Sequence, residues 1–181
     1  MNETIRLFVA AAVPASLKAS LLQQAGSYQH ESIRFVPEQN LHLTLYFIGN
    51  TAPDALPAIK EKLQQLASRH TSFSLQLQCL EPGPKPRAPR LIWARFEPNQ
   101  QFEKLSQDIT LQLSVQPPKQ QKAIPHITLA RFRKDKALPD HLPAILPAAP
   151  VSFAVDAVSL WQSTLSSPHP IYSILETFPL S

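Results

Sequence analysis

The chain has 181 residues, 44% hydrophobic and 17% charged, enough for one sizeable core and short for two independent domains. Its three glycines, Gly26, Gly49 and Gly83, stand too far apart for a G-x-G-x-x-G turn, a Walker A loop or a G-x-S-x-G elbow, which excludes three large nucleotide-binding and hydrolase classes. A single cysteine, Cys79, allows neither an internal disulfide nor a thiolate zinc cluster, and the excess of 17 Lys and Arg over 13 Asp and Glu suits an anionic ligand without requiring one.

Met1–Arg6 runs directly into a strand-like segment with no apolar leader, and no apolar run approaches the ~20 residues a membrane span needs. A cytoplasmic protein without membrane attachment is expected. Alternation predicts a strand over Thr4–Ala11, and Leu17, Leu21 and Ala25 predict a helix over Pro14–Ala25 that Gly26 stops. Leu41, Leu43, Leu45 and Phe47 alternate with His42, Thr44, Tyr46 and Ile48 as a strand with one apolar face. Leu56, Ile59, Leu63 and Leu66 mark a second helix, and Phe73, Leu75 and Leu77 a further strand. Glu81–Arg90 is a proline-rich basic connector, followed by a strand at Leu91–Phe96 and a helix carrying Phe102, Leu105, Ile109 and Leu113. Strands at Pro125–Phe132, Val151–Leu160 and Ile171–Phe178 complete a mixed α/β chain, and Ala137–Pro150, with four prolines, reads as loop.

The two halves repeat. Arg6-Leu7-Phe8-Val9-Ala10 aligns with Arg90-Leu91-Ile92-Trp93-Ala94, and Leu41-His42-Leu43-Thr44-Leu45 aligns with Pro125-His126-Ile127-Thr128-Leu129, both at an offset of 84 residues. Leu21 falls on Leu105 at the same offset, so the order strand, helix, histidine-bearing strand occurs twice. One domain over residues 1–181, made of two pseudo-symmetric lobes, is the expected organisation.

Within a strand, residues i and i+2 share a face, so His42 with Thr44, and His126 with Thr128, stand opposite the buried leucines. Brought together about a pseudo-two-fold axis, two imidazoles and two hydroxyls suit phosphoryl chemistry. One imidazole can deprotonate water and the other protonate a leaving oxygen, while the hydroxyls donate to non-bridging oxygens. With six histidines and eight threonines in the chain, chance supplies fewer than one His-x-Thr, yet two occur in register. Histidines held in a core by hydrogen bonds are the bland alternative.

The stretches Asn40–Gly49 and Pro125–Arg131 closely resemble the paired His-x-Thr motifs of the two-histidine phosphoesterases. Arg6–Ala10 and Pro89–Trp93 are similar to the RNA 2′,3′-cyclic phosphodiesterase branch, formerly called 2′-5′ RNA ligase. The resemblance spans nearly the whole chain. It departs conservatively at Leu45-Tyr46-Phe47-Ile48-Gly49, where the family has Leu-x-Phe-Leu-Gly, and it offers no motif in Ala137–Pro150 or Ser163–Pro170. It implies a bilobal α/β (α+β) fold, with antiparallel-rich sheets around a central cleft and helices on the outer faces. The implied reaction is hydrolysis of an RNA or nucleotide 2′,3′-cyclic phosphate to a 2′-phosphate; the missing metal-ligand spacing adds the expectation of no metal or cofactor, and a monomer is expected. His42 would protonate the departing 3′-oxygen, His126 would act as base for water, and Arg131 would bind phosphate together with Thr44 and Thr128. In an ideal strand Arg131, five residues beyond His126, faces away, so it reaches the cleft only if the strand bends near Ala130. Joining RNA ends through a 2′-5′ linkage, and binding RNA without chemistry, are the rival readings.

Other features carry two readings. Lys85, Arg87 and Arg90 line either an RNA groove or a solvated loop, and Arg133, Lys134 and Lys136 read as an exposed strand end. His30, His70, His141 and His169 are expected in solvent. Phe8, Phe35 and Trp93 are either stacking platforms or core. No histidine spacing fits a metal-binding motif.

Overall fold

A computed structural model describes residues 4–116 and 122–181; Met1–Glu3 of the expected N-terminal run lie outside the described residues. The elements are β1 (Ile5–Ala12), α1 (Ala15–Ala25), β2 (Ile33–Phe35), β3 (His42–Thr51), α2 (Leu56–Ala67), β4 (Phe73–Gly83), β5 (Leu91–Phe96), α3 (Gln100–Leu113), β6 (His126–Phe132), β7 (Ser152–Val155), β8 (Ala157–Thr164) and β9 (Ile171–Pro179). The strands run in the order β7-β4-β5-β6-β3-β1-β8-β9, antiparallel throughout, with β2 on β6. The two expected sheets are therefore joined. One lobe, β3-β1-β8-β9, meets the other, β6-β5-β4-β7, through the single pair Leu43–Ile127. No helix among the described residues is long and apolar enough to cross a membrane.

Alternation decides which residues face which side. On β1, Leu7, Val9 and Ala11 enter the main core, whereas Phe8 and Ala10 turn to the other face and pack with Trp161 on β8. Helices supply the rest of the main core through residues three and four apart: Leu17, Leu21 and Ala25 of α1, Ile59, Leu63 and Leu66 of α2, and Phe102, Leu105 and Ile109 of α3. Helix α3 starts cleanly because the Asn99 side chain accepts from the Phe102 N–H at 2.9 Å. It packs against β3, and α1 packs against β6, so each helix lies on a histidine-bearing strand.

Several boundaries differ from the sequence reading. Gly26 keeps right-handed helical angles and opens a 3₁₀ turn, Gly26–Tyr28, so it does not stop α1 through a left-handed cap. The start of the proline-rich connector, Glu81–Gly83, is the end of β4, paired with β5. The expected strand Val151–Leu160 is two strands separated by Asp156: β7 pairs with β4 in one lobe and β8 with β1 and β9 in the other. Asp156 is thus where the chain changes lobes. The three-residue β2 is too short to show a period and had no expected counterpart.

Candidate active site

A cleft of about 1010 Å³ lies where the lobes meet, and His42, Thr44, His126, Thr128 and Arg131 all line it. The first four stand at the paired ends of β3 and β6, next to the one rung that joins the lobes. Each histidine is fixed in the same way. The Nδ1–H of His42 donates to the Asn40 carbonyl at 2.7 Å, and that of His126 donates to the Ile124 carbonyl at 2.7 Å. A carbonyl only accepts, so these bonds set the tautomer and leave Nε2 with its lone pair in the neutral ring. Asn40 is itself buried and donates through Nδ2 to the Pro170 carbonyl at 2.8 Å, which ties the start of β3 to the loop before β9.

The rings rest on aromatic floors. Phe8, Tyr172 and Trp161 lie 4.9, 5.4 and 5.8 Å from His42, and Trp93 lies 4.8 Å from His126, centroid to centroid. Phe8 and Trp93, weighed from sequence as stacking platforms, are buried supports beneath the histidines. Gly83 makes room for one of them, since a Cβ there would come within 2.6 Å of the Trp93 ring. These floors desolvate the imidazolium form. Burial pushes the His42 pKa down to about 4 against the opposing Asn40 carbonyl, with the charges of His126, Arg131 and Lys18 lowering it further. His126 is lowered for the same first reason, with Arg131 adding to it and the Ile124 carbonyl opposing.

Arg131 reaches the cleft because β6 is bulged. Trp93 pairs with Thr128 and Ile92 with Ala130, which leaves Leu129 as an extra residue and returns Arg131 to the face of His126 and Thr128. Strand β3 does the same 84 residues earlier. Ala10 pairs with Thr44 and Val9 with Tyr46, so Leu45 is extra and Phe47 returns to the face of His42. Both bulge carbonyls find partners, Leu45 from the Ser106 hydroxyl of α3 at 2.9 Å and Leu129 from the Val36 N–H at 2.8 Å.

Sequence reasoning did not single out Phe47, which is 62% exposed on the cleft, or Tyr172 and Arg34, which also line it. Unbroken alternation put Phe47 with the buried leucines; only the bulge reverses that. His169, expected in solvent, is half-buried on the cleft wall, and His70 is paired with Asp108 at 3.1 Å. Arg133 and Lys134 line the cleft, whereas Lys85, Arg87 and Arg90 are exposed outside it. The described residues hold no group of three His, Cys, Asp or Glu able to bind a metal.

Two imidazoles whose Nε2 atoms have no hydrogen-bond partner among the described residues, hydroxyls beside them and an arginine at one side form a constellation for general acid-base work on a phosphate. The chain is similar to several proteins of known sequence and structure. A Thermotoga maritima protein, "RNA 2′,3′-cyclic phosphodiesterase", is 29% identical over 142 residues, 78% of this chain and 76% of that protein. The crystal structure of TT0787 from Thermus thermophilus superposes with a TM-score of 0.82 at 28% identity, covering 97% of both chains. Escherichia coli LigT complexed with phosphate gives 0.76 at 26% identity, covering 99% of both. The sequence model of the 2′-5′ RNA ligase superfamily matches residues 13–166, and with that span inside its 181 residues the chain belongs to this family.

Proposed function

We propose that the protein hydrolyses the 2′,3′-cyclic phosphate at an RNA end to a 2′-phosphomonoester by acid-base catalysis that needs no metal. The observation that carries the reading is the matched anchoring of His42 and His126, each through Nδ1 to the carbonyl two residues before it. That anchoring leaves both Nε2 atoms without a hydrogen-bond partner among the described residues and available for proton transfer. The relatives named for this activity support the same substrate.

In the proposed reaction, water attacks phosphorus in line with the 3′-oxygen, and His126 Nε2 takes its proton. The bond from phosphorus to the 3′-oxygen breaks, and His42 Nε2–H delivers a proton to that oxygen. The enzyme is left with His126 protonated and His42 neutral, and exchange with solvent resets it. Thr44 and Thr128 donate to the non-bridging oxygens as charge builds, each worth up to ~3 kcal/mol in a preorganised site. Arg131 offsets the anion's charge. Both histidines are only half-buried, so water has access, which favours hydrolysis over joining of RNA ends. One domain of two duplicated lobes, acting as a monomer, suffices for this chemistry, since each lobe supplies one histidine and one threonine.

The test is a short RNA ending in a 2′,3′-cyclic phosphate, incubated in EDTA. The expected product is the 2′-phosphate at the rate seen without chelator. No turnover, turnover restored only by a divalent ion, or a 3′-phosphate product overturns the reading.

A further inference from the structure

We propose that Arg34 and Arg131 form a subsite for a second phosphate, the one on the 5′ side of the reacting ribose, so that the cleft prefers a polynucleotide end to a lone cyclic nucleotide. This rests on the phosphodiesterase reading above. Strand β2 is three residues long, pairs with β6 and sets Arg34 directly opposite Arg131. Directly opposed residues of an antiparallel pair project from the same face with Cβ atoms about 5 Å apart, and like charges so placed repel. Both arginines line the cleft. No described carboxylate lies within ion-pair distance of Arg34 or Arg131, so the two charges face one another without an acidic partner between them. Nearby, Arg133 and Lys134 add to the positive wall, with Asp135 the one carboxylate among the described residues lining the cleft. A folded chain gains nothing from two opposed guanidinium groups unless an anion lies between them.

The position selects which anion. Strand β3 leaves β6 after the pair Leu43–Ile127, and β2 takes up the vacated edge, so Arg34 stands where the lobes diverge and the cleft opens outward. Arg131 lies three residues beyond Thr128, roughly 10 Å of strand less the bulge. The charge of Arg131 is felt at both histidines, whereas Arg34 stands across from it on β2. A 2′,3′-cyclic end has no chain on its 3′ side, so a second phosphate enters only through the 5′ oxygen of the same ribose. That phosphate is either an internucleotide diester or a free 5′-monoester, and the proposal commits to the diester.

Three substrates test it: a dinucleotide ending in a 2′,3′-cyclic phosphate, the same dinucleotide with a neutral methylphosphonate linkage, and a cyclic mononucleotide bearing a free 5′-phosphate. For the unaltered protein, neutralising the linkage should lower kcat/KM about tenfold, as expected for a lost charge-assisted contact. In Arg34→Gln the charged and neutral dinucleotides should differ by less than about twofold, and Arg34→Lys should keep most of the distinction. The Arg34→Gln protein should melt no lower than the parent, because the substitution relieves a like-charge pair. Equal sensitivity to linkage charge in parent and Arg34→Gln overturns the subsite. A gain confined to the 5′-phosphorylated mononucleotide overturns the polynucleotide preference. If none of the three is hydrolysed, the phosphodiesterase reading fails. The subsite is then decided by whether the 2′-phosphorylated dinucleotide binds the parent about tenfold better than its methylphosphonate analogue, and Arg34→Gln equally to both.

Discussion

Phe47 and Arg131 hold equivalent places in the two lobes: each lies five residues beyond a histidine, 84 residues from the other, and each is turned into the cleft by a bulge at the leucine two residues before it. The two halves of the sheet thus give the cleft an apolar ring on one wall and a cation on the other. A cyclic nucleotide offers the complementary pair, a base and a phosphate. Phe47, 62% exposed, contributes little to packing, so Phe47→Ala is expected to leave the melting temperature within about a degree or two. Loss of base stacking, ~1–3 kcal/mol, should appear as a KM raised about tenfold or more with kcat nearly kept. A kcat loss at constant KM would place Phe47 in the chemical step instead.

The bulge that positions Phe47 depends on Ser106. Its hydroxyl donates to the Leu45 carbonyl at 2.9 Å in a buried setting, replacing the ladder bond that the extra residue interrupts. Ser106→Ala leaves that carbonyl without a partner, at a cost of ~1–3 kcal/mol. The expected result is a melting temperature lower by roughly 5 °C, together with a raised KM as Phe47 loosens. Thermal denaturation and steady-state kinetics on one preparation check both, and an unchanged Tm would mean the bulge holds without the bond.

The histidines, their threonines and the 84-residue offset were legible in the sequence because each rests on alternation, and alternation is local. The three helices were legible from their apolar stripes for the same reason. The bulges at Leu45 and Leu129 were not, because an extra leucine beside buried leucines leaves the apolar pattern intact while reversing every face beyond it. Hence alternation alone places Arg131 on the cleft only if the strand bends, and puts Phe47 with the apolar face. Asp156 was passed over because Phe153, Val155, Val158 and Leu160 read as one apolar run, although the chain changes lobes at that residue. Which strands pair across lobes depends on contacts far apart in sequence, and no short window of the chain contains them.

The depressed histidines predict where activity falls with pH. In the proposed mechanism the competent free enzyme carries one proton on the histidine pair, a form most populated between the two pKa values, with His42 at about 4 and His126 below its usual 6.5. Because kcat/KM reports the free enzyme, its maximum is expected on the acid side of about pH 6.5, falling above it as both rings become neutral. A bound phosphate favours the imidazolium form and raises both values, so the kcat profile should lie at higher pH than that of kcat/KM. Stability runs the other way at low pH. The unfolded chain protonates His42 more readily than the fold does, so stability falls as pH drops from about 6.5 toward about 4, and inorganic phosphate should reduce that fall. Coincident kcat and kcat/KM profiles, both centred above about pH 7, would contradict the burial of the pair.

The last prediction separates the histidines. In the proposed mechanism, opening the ring requires one imidazole to enter protonated and the other neutral, and they cannot exchange roles within a turnover. If His42 protonates the departing 3′-oxygen, its loss matters in proportion to how badly that oxygen needs a proton. His42→Ala is therefore expected to lose several orders of magnitude on cyclic RNA but far less on a p-nitrophenyl phosphodiester, whose leaving group departs as an anion. If His126 is the base for water, His126→Ala should be impaired on both substrates. The anchors make the comparison clean, since each ring is held by its own strand at 2.7 Å, to Asn40 for His42 and to Ile124 for His126, and removal of one leaves the other's bond in place. Rescue of His126→Ala by the better leaving group, with His42→Ala crippled on both, would reverse the two roles while leaving the two-histidine mechanism intact.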